Sequence, residues 1–210
     1  MMTLAWAATF LTATAPVIPT TTIAPGVHLP MSGLGTWQYN DSVAEAATTL
    51  ALSLGYTHID TAWVYKNAAG IGKALAASPR PRSSYFITSK IMGGNATTTL
   101  EQHKEVLRLL GTDYVDLLLV HFPGAYDPKT KGFVGSRAAR QAQWQAMEKL
   151  VAAAAARSLG VSHYCKRHLQ DVLDIATVKV AVNQVRQLLL GEVGNRARNR
   201  TRTCPFLQCC

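Results

Sequence analysis

A chain of 210 residues with 48% hydrophobic content and a mean hydropathy of +0.07 carries enough apolar material for one substantial core, and no run long enough to span a bilayer. Its net charge of +9 admits an anionic ligand, but the basic residues are not gathered on one aromatic-studded face, which speaks against nucleic acid. The four cysteines, Cys165 with Cys204, Cys209 and Cys210, make neither a disulfide framework nor CxxC zinc pairs, so the chain is expected to hold no metal and to suit a reducing, cytoplasmic setting.

The N-terminal lead, residues 1–21, contains the apolar stretch Leu4–Ala15, diluted by threonine. No Lys or Arg precedes it, and Ala13-Thr14-Ala15 runs into Pro16, which speaks against a secretory signal. Pro19 to Pro30 fits a hairpin. From Gly33 onward, short apolar runs alternate with amphipathic segments of helix length, the pattern of repeated βα units and a parallel sheet. Six units are expected. The first strand lies near Gly33–Trp37, with a helix opening on a Ser42/Glu45 capping box and turning Val43, Ala47, Leu50 and Leu54 inward.

The second strand, Tyr56–Ile59, leads to a helix over about Asn67–Ala77 that Pro79 and Pro81 close. The third, Tyr85–Lys90, leads to a helix with a Thr98/Glu101 capping box, ending at Gly111. Tyr114–Val120 is nearly all apolar, as a strand buried on both faces should be. A loop over Ala125–Ser136 precedes an alanine-rich helix reaching Arg157, whose Trp144, Met147, Leu150, Val151 and Ala154 share a face. Leu159–Ser162 and Val178–Asn183 are the last two strands, separated by a helix over Lys166–Ile175. Residues 186–210, basic and Cys-containing, have no period and are expected to be irregular; within them residues 191–210 set four arginines against one glutamate, a net three of the nine charges.

Three successive strands end in titratable side chains: Asp60 with Tyr65 just beyond it, then Lys90, then His121. In parallel α/β folds these strand ends form one rim, which makes the four residues a candidate site. The plainer reading is an Asp capping a helix and a Tyr packing beside it. A tyrosine needs a shift of roughly three units, about 4 kcal/mol, to act near neutral pH, and one lysine charge at about 4 Å is worth that much. Gly33-Leu34-Gly35 and Gly70-Ile71-Gly72 do not continue as dinucleotide fingerprints, and His58, His103 and His168 lack metal-ligand spacing.

Gly33-Leu34-Gly35-Thr36-Trp37, Gly55–Ala62 with Tyr65, Phe86–Lys90, Asp113–His121, Trp144–Glu148, Gly160-Val161-Ser162 and Val182–Val185 together resemble the aldo-keto reductases. The resemblance covers about residues 22–185 and implies a TIM-type (β/α)8 barrel, here incomplete with about six βα units. It implies NADPH-dependent reduction of an aldehyde or ketone (NADH possible), with Tyr65 as general acid, Lys90 and Asp60 tuning it, and His121 orienting the carbonyl. It also implies cofactor contacts from Thr36, Asp60, Ser162, His163 and Asn183 or Gln184, and a substrate pocket lined by Trp37 and Phe122. His163 stands where the family usually has Asn, and the family's last two strands and its adenosine-phosphate segment have no counterpart, so a truncated chain is expected. The alternative is a catalytically weak barrel that binds a cofactor or a partner.

Overall fold

The computed structural model describes residues 17–185. Most of the expected lead and all of the expected 186–210 tail lie outside the described residues. Strands β1 (Thr20–Ala24) and β2 (Val27–Pro30) form the expected hairpin, with Gly26 at the turn in the left-handed region that glycine favours. There follow β3 (Leu34–Gly35), α1 (Asp41–Ser53), β4 (His58–Asp60), α2 (Ala68–Ala77), β5 (Phe86–Ile91), α3 (Ala96–Leu110) and β6 (Leu117–Val120). A second hairpin, β7 (Ala125–Asp127) with β8 (Gly132–Val134), precedes α4 (Arg137–Ala152), β9 (Leu159–Ser162), α5 (Lys166–Leu173) and β10 (Val180–Gln184).

The central sheet is parallel throughout, in the order β3-β4-β5-β6-β9-β10, so consecutive βα units are neighbours as in a barrel. Alternation along the strands sorts the side chains into two layers. Ile59, Ile87, Ile91, Leu118, Val120, Leu159 and Val161 face outward and share a core with Ile71, Val106, Trp144 and Met147 of the helices. Phe86, Leu117 and Leu119 face inward and are covered from below by Ile23 and Val27 of the first hairpin. Each fully buried side chain of this kind contributes about 1.5–3 kcal/mol. The same alternation sends Asp60, Lys90, His121 and Ser162 to the inner side of the sheet, above the apolar plug.

Several expectations are corrected. Helices α1 and α3 are capped by Asn40 and Asn95, whose side chains accept from the backbone of Val43 and Thr98 at 2.9 Å, and not by Ser42 or Thr98. Asparagine caps as well as serine does, and it stands earlier in both segments. In α1 the buried face is Ala44, Thr48 and Ala51, while Val43, Leu50 and Leu54 are exposed, because α1 meets α2 through small residues. A Cβ on Gly70 would lie 2.0 Å from the Asp41 carbonyl oxygen, and one on Gly72 would lie 2.3 Å from that of Leu109. These glycines therefore serve helix contact. The expected 125–136 loop contains β7 and β8. Helix α4 stops at Ala152, and Ala154, in the left-handed region, is exposed rather than on the buried face.

Candidate active site

The inner rim begins with β4. Its Asp60 lies next to Thr88 of β5, and Lys90 two residues further along β5 reaches back so that its Nζ donates to Asp60 Oδ1. The ammonium also donates to the Thr61 carbonyl at 3.2 Å and to the Tyr65 hydroxyl at 3.4 Å. Lys90 is 3% exposed, a charge that burial tolerates only because these partners replace its water. The other Asp60 oxygen accepts from Gln184 Nε2 at 2.8 Å, so the tip of β10 is tied to β4 across the sheet.

Tyr65 closes a turn of 3-10 helix, Trp63–Tyr65, that ends where Lys66 adopts a left-handed conformation. Both flanks are held from α3 by Glu105, which accepts from Trp63 Nε1 and lies 4.0 Å from the Lys66 ammonium; that ammonium also sits over the Trp63 ring at 3.5 Å. The Tyr65 ring meets the His121 ring edge-on, with centroids 5.6 Å apart. The structure thus brings Asp60, Tyr65, Lys90 and His121 together.

The electrostatics differ from the sequence-based expectation. Burial first, and the Asp60 carboxylate second, push the Tyr65 phenol above its usual value rather than toward neutrality. The lysine is paired with Asp60. Burial likewise lowers the Lys90 ammonium, with Asp60 opposing. His121 is pushed down to about 3 by burial, then by the Lys90 and His163 charges, and is a neutral imidazole at ordinary pH. Its Nδ1 is buried without a hydrogen-bond partner.

The other expected contacts divide. Ser162 and His163 sit at the tip of β9 beside Gln184: the Ser162 hydroxyl donates to the Gln184 carbonyl at 2.8 Å, and the His163 amide donates to the same oxygen at 3.1 Å. His163 lies in the left-handed region and stacks on Phe122, centroids 4.9 Å apart. Thr36 lies beside Asp60. It is fully buried and its hydroxyl donates to the Asp60 carbonyl at 3.1 Å, which clamps the end of β3 to β4. Trp37 is 58% exposed, and Phe122 lies in a stack with Phe133 and His121 at 3.8 and 4.5 Å.

Sequence reasoning missed three residues. Asn67 is fully buried, donating to the Thr36 and Tyr39 carbonyls and accepting from Thr61, and its position just before α2 was the available signal. Phe133 gave none, because it joins the site through the unforeseen hairpin. Arg140, buried in α4, gave none either.

A parallel α/β barrel sheet with a Tyr, Lys, Asp and His at neighbouring strand tips defines a class of barrel protein with its site at the C-terminal rim. The chain belongs to the aldo/keto reductase family, whose model matches residues 31–208. It is 34% identical over 167 residues to the 9,11-endoperoxide prostaglandin H2 reductase of Trypanosoma cruzi, covering 78% of this chain and 55% of that one. It is 36% identical over 160 residues to the methylglyoxal reductase DkgA of Yersinia pestis, covering 76% and 54%. Among solved structures, an aldo/keto reductase from Brucella melitensis superposes with a TM-score of 0.74 at 34% identity over 81% of this chain and 63% of that one. A Bombyx mori aldo-keto reductase in complex with NADP gives 0.72 at 28% identity over 82% and 59%. The chain spans about half the length of the curated relatives it matches.

Proposed function

We propose that the rim is a carbonyl-reducing site in which Tyr65 gives a proton to the oxygen of an aldehyde or ketone and a reduced nicotinamide dinucleotide, NADPH or NADH, is the reductant. The observation that carries this reading is the Lys90–Tyr65 contact. An ammonium has only donors, so the phenol oxygen accepts from it and the phenol's own hydrogen is left for a third group. The raised phenol stays protonated, as a donor must. His121, neutral and edge-on to Tyr65, offers a ring nitrogen to the same oxygen and fixes its direction.

The residues at the tips of β9 and β10 fit the nicotinamide end of the cofactor. The Ser162 hydroxyl, the exposed Asn183 and the Gln184 amide are the mixed donors and acceptors a carboxamide needs, and the Asn183 side chain is already held by the Tyr164 carbonyl at 2.9 Å. When bound, the reduced cofactor supplies the hydride. Trp37 and Phe122 supply the apolar surround, and residues 22–185 form the unit that carries the site.

A second reading is a barrel that binds cofactor or partner without turning substrate over. The sheet favours it in one respect: β3 and β10 each have a strand neighbour on one side only among the described residues. Titrating the protein into NADPH while following cofactor fluorescence, then adding a simple aldehyde, separates the two. Binding followed by aldehyde-dependent consumption supports the reductase. Binding without consumption supports the second reading, and neither binding nor consumption removes the first.

A further inference from the structure

We propose that Arg140, held by Asp171, is the positioning residue that staples the β7–β8 hairpin beside the rim and so sets the aromatic wall of the carbonyl site; this rests on the reductase reading above. Arg140 is buried, and its guanidinium makes four directed bonds. Nε and Nη2 donate to Asp171 Oδ2 at 3.0 and 2.6 Å, while Nη1 donates to the carbonyls of Pro123 and Gly135 at 3.1 and 2.8 Å. Pro123 lies two residues before β7 and Gly135 directly follows β8, so one planar cation bridges both legs of the hairpin.

The legs touch there through bare backbone. A Cβ on Gly124 would lie 2.5 Å from Val134, one on Gly135 would lie 2.8 Å from the Pro123 oxygen, and one on Gly93, after β5, would meet the Gly124 oxygen at 2.2 Å. The guanidinium crosses this neck, and the Phe122–Phe133 stack joins the same two legs. From the neck the contact runs to the chemistry through rings. Tyr126 meets Phe133 edge-on at 5.6 Å, Phe133 stacks on Phe122 at 3.8 Å, and Phe122 stacks on His121 at 4.5 Å. Releasing the neck loosens the leg that carries Phe133, and with it the wall a substrate meets next to His121.

Asp171 belongs to α5 and also lies 3.8 Å from Arg137, which has Asp174 as its closer partner at 2.7 Å. Removing Asp171 therefore leaves Arg137 paired, and the double substitution Arg140→Met with Asp171→Leu removes the buried pair without stranding either charge. Arg140→Lys is the milder variant, because an ammonium can face Asp171 but lacks the planar fork that reaches both carbonyls. The hairpin tip offers an independent readout: Lys129 and Lys131 are exposed trypsin sites, while Arg108 in α3 reports opening of the whole domain.

The experiment is limited trypsin digestion of the full chain, with steady-state kinetics on the same preparations. In both variants we expect cleavage after Lys129 and Lys131 to rise about tenfold while cleavage after Arg108 does not, because the hairpin opens locally. We also expect KM for an aldehyde to rise about tenfold, with kcat changed less than about threefold and the Kd for NADPH within about twofold of wild type. Hairpin cleavage and KM equal to wild type, in variants that melt cooperatively, overturn the proposal. If the double variant does not fold, Arg140→Lys decides by the same criteria. If the wild-type chain consumes no NADPH, the reductase reading falls, and the ratio of hairpin to Arg108 cleavage alone decides whether Arg140 holds the hairpin.

Discussion

His121 offers a test of the site's electrostatics that needs no substrate. Its imidazole is held down to about 3 against an ordinary 6.5, so the unfolded chain binds a proton there over a range in which the native chain does not. The sign follows. A histidine lowered on folding contributes stability that is complete above about pH 6.5 and is lost as pH falls toward 3. At pH 5 the unfolded imidazole is almost fully protonated and the native one is not, which by linkage costs about 2 kcal/mol relative to pH 8. His58, His103 and His168 are lowered too, so the comparison must be differential. Urea unfolding of wild type and His121→Gln at pH 8 and pH 5 should show wild type losing about 2 kcal/mol more than the variant between the two pH values. Equal losses would mean that the imidazole protonates in the native site, and the neutral His121 on which the carbonyl-orienting role depends would be wrong.

Other consequences follow from single contacts. Lys90→Met removes the charge that satisfies Asp60 Oδ1 and should cost about 3 kcal/mol in urea unfolding at neutral pH, with turnover lost. Gly160→Ala places a Cβ 2.5 Å from the Val182 oxygen and 2.7 Å from Leu119 Cδ2, and should lower stability by about 2 kcal/mol or more without changing which substrates are accepted. Glu105→Ala frees Trp63 and Lys66 on either side of Tyr65; kcat should fall by about tenfold with cofactor affinity unchanged, measured by single-turnover consumption of NADPH.

The units of the fold were legible because each strand advertised itself by apolar, β-branched runs and each helix by its stops. Leu159–Ser162 was read to the residue, since its flanks are unambiguous: Ser158 before and His163 after. The convergence of Asp60, Tyr65, Lys90 and His121 was legible because parallel neighbours put equal strand tips on one rim. What stayed hidden depended on competition or on distance. Asn40 and Asn95 outcompeted plausible Ser and Thr caps lying a few residues downstream, a choice local pattern does not make. The inward face of α1 was misassigned because Val43, Leu50 and Leu54 have helical spacing, yet close approach to Gly70 needed the small Ala44, Thr48 and Ala51 there. The direction of Tyr65's shift was unreadable, since it turns first on how deeply the phenol is buried and then on the Asp60 carboxylate beside it. Nothing in the sequence ties Gln184 to Asp60 across 124 positions, and their bond depends on the curl of the sheet.

The most direct test of the central claim is a comparison of NADPH consumption by wild type and Tyr65→Phe with one simple aldehyde, alongside cofactor binding by fluorescence. The account predicts that removing one oxygen slows consumption by about a hundredfold or more, while the Kd for NADPH stays within about twofold. A phenylalanine variant that consumes NADPH at the wild-type rate would contradict it.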